Sequence, residues 1–329
     1  MVGRTQAGLK LDGWIPVRVS WREGGREPFL DWCLLGETRF TEPFFADTLE
    51  RHLRHPFHHA FRRQTPISAL NESRLSGAPV KGIVFHMSRC GSTLVAQMLA
   101  ALEQNIVLSE AEPVDAILRS HLREPSITEE QRIDWLRGIV NALGQRRSER
   151  EQNLFLKLDC WSIAELPLIA RAFPETPWIF LYRDPLEVLA SQFRSPGGWT
   201  IPAILPPGVL GLEQLASAVS WPEYRVRVVG RICELALPHR QTGRGLLINY
   251  SQLPEAVYAV LPDHFGVDYS SADLNRMREV SRQNAKIPAE RFEPAALSLP
   301  PEARELAERW IYPVYEQLEA LRVPAGVLR

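Results

Sequence analysis

The chain has 329 residues, enough for one large domain or two ordinary ones, and its 45% hydrophobic and 23% charged residues are the balance of a folded globular protein with a full core. Its 38 Lys and Arg stand against 39 Asp and Glu, and the resulting net charge of -1 excludes a global pull toward nucleic acid or acidic membranes, though not a local basic pocket. The N-terminus lacks the apolar stretch of a signal peptide, and no apolar run approaches the roughly 20 residues of a membrane helix.

In chain order, residues 1–79 read as an N-terminal extension without an assigned role. It carries turn signals at Asp12-Gly13 and Gly24-Gly25, short aromatic runs and a helical stretch near Pro43–His55. After a loop around Leu75–Pro79 the texture changes, and residues 80–329 read as one further domain. Short apolar runs at Ile83–Phe85, Ile106–Leu108, Asn153–Leu158, Trp178–Tyr182 and Leu246–Asn249 are predicted strands. They alternate with predicted helices at Thr93–Leu102, Asp115–Leu122 and Ile163–Phe173, and an amphipathic helix is expected over Glu302–Leu321. That alternation predicts an α/β fold with a parallel sheet covered on both faces, whose ligands bind at the carboxyl ends of the strands. The segment Ser195–Gly211 breaks the rhythm. It is rich in Pro and Gly yet apolar, and reads either as a lid or as a loop packed on the core.

Cys33, Cys90, Cys160 and Cys233 are scattered and form no C-x-x-C pair, so neither a structural zinc site nor a disulfide framework is expected, and a reducing cytoplasm fits them. The stretch Arg51–Arg63 holds four His and four Arg without a carboxylate. It lacks the ligand set of a metal site and reads as a solvated basic face or as a patch against an anionic substrate. No nucleic-acid-binding module is visible.

The strongest local signal runs from Gly82 to Leu99, GIVFHMSRCGSTLVAQML: a strand, a tight turn, and a helix at once. Backbone N–H groups at a helix start attract an anion. Gly91 allows close backbone approach, Ser92 and Thr93 add hydroxyl donors, and Arg89 adds a forked charge beside Cys90. The loop is not a Walker A sequence, because Gly91 is followed by Ser92 rather than Lys. Nor is it a cysteine-phosphatase loop, because Ala96 stands where the Arg would be. A second signal follows the strand Trp178–Tyr182: Arg183-Asp184-Pro185 opens a helix that carries Ser191 two turns on. Asp184 and Pro185 suit a helix start. Arg183 and Ser191 together suit a second phosphate.

Together, RCGST (Arg89–Thr93) and WIFLYRDPLEVLAS (Trp178–Ser191) resemble the two donor-binding motifs of the sulfotransferase superfamily, the first being its 5′-phosphosulfate loop and the second its 3′-phosphate motif. Arg in the first loop is similar to the tyrosylprotein sulfotransferase branch and to many bacterial members. The resemblance implies a three-layer, P-loop-like sulfotransferase fold with an N-terminal extension, and 3′-phosphoadenosine 5′-phosphosulfate (PAPS) as co-substrate, with no metal. It implies transfer of a sulfonate to an acceptor hydroxyl, with Arg183 and Ser191 on the 3′-phosphate and Tyr250 near the adenine. By position it also implies phosphate contacts from Ser281 and Lys286. Arg89 would hold the sulfonate, and Lys157, at the end of an apolar strand, would steady the transition state or else pair with Asp159. The base is expected to be Glu110, 21 residues after Arg89 as in the tyrosylprotein branch, or Glu112, whose pairing with Pro113 is similar to bacterial relatives. Trp199 in the apolar segment points to a small, partly hydrophobic acceptor. An ATP-dependent phosphotransferase, a non-catalytic nucleotide-binding protein and a nucleotide hydrolase are the competing readings.

Overall fold

The structure, a computed structural model, describes residues 10–25, 27–72, 75–242, 244–286 and 298–322. Near the N-terminus, Trp14–Ser20 (β1), Phe29–Leu34 (β2) and Arg63–Pro66 (β3) form an antiparallel sheet in the order β1-β2-β3. The sequence marks only turns, aromatic runs and a helix here. Its strands are masked because polar Arg18, Asp31 and Gln64 interrupt the apolar positions, and because β1 carries an irregularity between Pro16 and Arg18. The helix Phe45–Leu53 lies inside the predicted stretch.

The five predicted apolar runs become Val80–His86 (β4), Asn105–Ser109 (β5), Asn153–Lys157 (β6), Trp178–Tyr182 (β7) and Gly245–Asn249 (β8). They form one parallel sheet in the order β5-β6-β4-β7-β8. Every residue of β5 and β7 is buried, as both faces of a helix-covered parallel sheet require. The order places β4 at the point where successive connections run to opposite sides of the sheet. A crevice opens there beyond the strand ends. The site is built at that crevice.

Around the sheet, the helix Ser92–Ala100 packs with Ser271–Ser281, and the long helix Trp221–Ala236 packs with Pro301–Trp310 and Tyr312–Leu321. Helices Glu112–Leu118 and Glu129–Leu143 carry β1, so the N-terminal sheet and the parallel sheet share one hydrophobic cluster. Three predicted helices are each broken in two. Residues 163–173 begin as a 3-10 turn, Cys160–Glu165, before the α-helix Leu166–Ala172, whose first turn holds Pro167. Residues 115–122 divide into Glu112–Leu118 and Ser120–Arg123. Residues 302–321 break at Ile311, where Pro313 removes a donor the continuing helix would need. The last helix is anchored by a buried polar knot: Tyr182 Oη donates to Glu319, and Asn249 Nδ2 donates to the same carboxylate at 2.9 Å.

The apolar segment 195–211 is partly packed on the core and partly borders the crevice. Gly197 and Trp199 face the crevice, Thr200, Val209 and Leu210 are buried, and Ile204 is exposed. Among the described residues no helix is long and apolar enough to cross a membrane.

Gly82, in the middle of β4, has no room for a side chain, since a Cβ there would lie 2.6 Å from the Phe265 ring. That ring is itself held against Phe155 at 5.4 Å between centroids. Gly82→Ala is therefore expected to destabilise the fold by about 1–3 kcal/mol through overpacking, read as a lower urea midpoint with an unchanged slope.

Candidate active site

Beyond β4 the chain enters a loop of unusual backbone. Ser88 (φ 70°) and Arg89 (φ 53°) are left-handed, and Gly91 (φ 87°) caps the helix that starts at Ser92. Left-handed backbone costs a side-chain-bearing residue about 1–2 kcal/mol, and two in succession mark a loop shaped for something other than stability. Gly91 is required twice: by its φ, and because a Cβ would lie 2.7 Å from Leu253 and 2.9 Å from the Tyr250 ring. The loop is held from below, where the Cys90 thiol donates to the Leu181 carbonyl at 3.1 Å. Burial pushes that thiol up to about 12, so Cys90 is an anchor rather than a nucleophile. Ser92 and Thr93 border a cleft of about 680 Å³.

The opposite wall follows β7. Asp184 caps the helix Pro185–Arg194 by accepting from Leu186 and Glu187 N–H groups at 2.9 and 3.2 Å. Arg183 pairs with Glu187, and its guanidinium lies 3.9 Å from the centroid of the Tyr250 ring. Tyr250 thus lies between the loop glycine and Arg183, and Ser191 faces the same cleft. Arg89 reaches across to donate to the Ser195 carbonyl, beside Arg194. No sequence signal marks Gln192, yet it is fully buried and joins both walls: it donates to Ser88 Oγ at 3.2 Å and accepts from Gly197 N–H at 3.0 Å.

The floor is electrostatic. Lys157, the last residue of β6, is not among the residues that line the cleft: it is buried, and it forms an ion pair with Glu110, which does line it. The expected alternative, pairing with Asp159, is not formed. Glu110 is also left-handed (φ 54°), and its N–H donates to the Lys157 carbonyl at 2.7 Å, so the two residues are joined through backbone and side chain. His86 Nδ1 accepts from the Ser88 N–H at 3.0 Å, which leaves Nε2 as the protonated nitrogen, 3.6 Å from Glu110. Burial pushes the Glu110 carboxyl up, but Lys157 and His86 outweigh it and hold it at about 2. Burial also keeps His86 below its usual range and therefore neutral.

Asp159, two residues past Lys157, lines the cleft with no ion pair or side-chain hydrogen bond among the described residues. Burial, then Asp115 and Glu110, raise its carboxyl well above the usual range. Asp115 itself is occupied by Arg119 and by Trp161 Nε1 at 2.7 Å. Glu112 does not face the cleft: it stands in the first turn of its helix, with its carboxyl against the Val19 backbone of β1. Ser281 Oγ donates to the Arg278 carbonyl at 2.9 Å at the rim, and Lys286 lines the cleft beside it. Partial burial, then Arg89 and Lys157, hold the Lys286 ammonium below its usual range. The basic stretch 51–63 stays outside the cleft, and no metal-holding group of His, Cys, Asp and Glu occurs among the described residues.

No protein-family model and no curated protein matches the chain. Among solved structures it is similar to sulfotransferase STF9 from Mycobacterium avium, at 14% identity and TM-score 0.47, over 83% of this chain and 82% of that one. It is also similar to a sulfotransferase from Alicyclobacillus acidocaldarius, at 14% identity and TM-score 0.43, over 77% and 100%. The sulfotransferase domain from the curacin biosynthetic pathway aligns at 15% identity and TM-score 0.41, over 72% and 98%.

Two stability measurements read this electrostatic floor. Glu110 is depressed in the folded state, so its contribution is present above its unfolded value of 4.5 and is lost as pH falls toward 2. Glu110→Gln is expected to flatten the stability profile between pH 4.5 and 2, measured by urea titration at each pH. Asp159 has the opposite sign: its folded value is raised, so ionisation above the unfolded 3.8 works against folding. Asp159→Asn is expected to raise Tm at pH 7 by about 2–4 °C, an increase that vanishes below pH 3.8.

Proposed function

We propose that the chain is a sulfotransferase that moves a sulfonate from PAPS to the hydroxyl of a partly apolar small molecule. The observation that carries this reading is the convergence of two separate anion cradles in one cleft: the loop Ser88–Thr93 with Arg89, and Arg183 with Ser191 on the facing wall. A nucleoside that carries two phosphates would engage both at once. Tyr250, lying between them, offers a ring to the nucleoside.

In the proposed chemistry the acceptor oxygen bonds to sulfur as the bond from sulfur to the 5′-phosphate oxygen breaks, and the acceptor proton passes to a carboxylate. Charge builds on the sulfonate and on the leaving phosphate, where Arg89, Lys157 and the helix start at Ser92 would stabilise it without reorganising. Glu110, fully ionised against Lys157, orients that ammonium and is a weak base while the pair is intact. Asp159, unpaired and raised, is the stronger base of the two. Trp161, Trp199 and Leu94 give the remaining wall its apolar character, which supports an acceptor with a hydrophobic body.

The test is calorimetric titration with adenosine 3′,5′-bisphosphate, set against AMP and against ATP with and without Mg²⁺. The expected result is binding of the bisphosphate that needs no metal and weakens on the order of 10- to 100-fold in Arg183→Ala, the loss of charge-assisted hydrogen bonds. A preference for Mg·ATP overturns the reading in favour of a phosphotransferase.

A further inference from the structure

We propose that Phe44 is a positioning residue of this cleft, through which the N-terminal antiparallel unit holds Lys157 and Lys286 together at the transfer site. The Phe44 ring centroid lies 4.9 Å from Lys157 Nζ and 5.9 Å from Lys286 Nζ, and the ring lines the cleft. The two lysines come from the end of β6 and from the segment after the helix Ser271–Ser281, which have no covalent reason to stay near one another.

They also repel. Arg89 adds a third positive charge, and Glu110, which is paired with Lys157, offsets only part of the repulsion. Asp159, the other carboxyl in the cleft, is held toward its neutral form by burial, and a carboxylate ionised there would also oppose an incoming phosphate. An aromatic face relieves it without that penalty, because its quadrupole attracts ammonium groups while carrying no net charge. Ordinary core packing is done by the next residue: Phe45 is buried against Phe40 with centroids 5.5 Å apart, whereas Phe44 is half-buried at the cleft. The chain crosses from core to site between these two residues, at the cap of the helix Phe45–Leu53. The role rests on the reading of the cleft as a nucleotide bisphosphate site.

The probe is adenosine 3′,5′-bisphosphate, titrated into the full chain. Phe44→Leu keeps apolar volume and removes the ring, and is expected to weaken binding about five- to tenfold. Replacing Phe44 with pentafluorophenylalanine, which keeps the ring's shape and removes its negative face, is expected to weaken binding equally, whereas Phe44→Trp restores it. In a Lys286→Met background the loss caused by Phe44→Leu is expected to shrink by at least half. Parental affinity in both Phe44→Leu and the fluorinated protein overturns the proposal. So does full affinity in the fluorinated protein alone, which would make the ring a packing element. Absence of binding by the parent protein overturns the nucleotide reading itself, and the proposal with it.

Discussion

A buried ammonium must be paired or give up its proton, and Lys157 is nearly inaccessible at the end of an interior strand. Its partner comes from the neighbouring strand, where Glu110 turns left-handed immediately after β5 and returns both its N–H and its carboxylate to Lys157. On the other side of β6, β4 ends in His86, which faces the same carboxylate. Three adjacent strand ends therefore converge on one charge, and the floor of the cleft follows from that requirement. The helix at Glu112 starts where it does because the turn at Glu110 has already redirected the chain.

Strain is concentrated in the same place. Among the described residues, four without a glycine's freedom adopt positive φ, and three of them, Ser88, Arg89 and Glu110, border this cleft. The unfavourable backbone is offset by buried contacts just beneath it: the Cys90 thiol on the Leu181 carbonyl, Gln192 on Ser88, and the Ser88 N–H on His86. Asp159 is a further local cost, a carboxyl raised by burial and by like charges, with no ion-pair partner among the described residues. Departures from local backbone preference are therefore concentrated at one cleft.

The parallel sheet was legible because its strands are buried on both faces and so appear as unbroken apolar runs, Trp178–Tyr182 above all. The N-terminal sheet was not, since its one-faced strands mix Arg, Asp and Gln with apolar residues, and β2 meets β3 only after a long excursion. The strand–loop–helix unit around Arg89 and the turn that leads from Arg183 to Ser191 were legible as local structure because a strand end and a helix start are contiguous in the chain. Spacing from Arg89 favoured Glu110 without excluding Glu112. A left-handed φ at one and a helical first turn at the other send their carboxyls to different places. Phe44, Gln192 and Asp159 meet the loop only through tertiary packing, so no local pattern announces them.

The Arg89 guanidinium already has an acceptor, the Ser195 carbonyl at the mouth of the apolar segment, and Gln192 ties Gly197 of that segment to the loop. An oxyanion that met Arg89 there would compete with that carbonyl for the guanidinium, so that occupation of the loop and release of the segment at Ser195 would be thermodynamically reciprocal quantities.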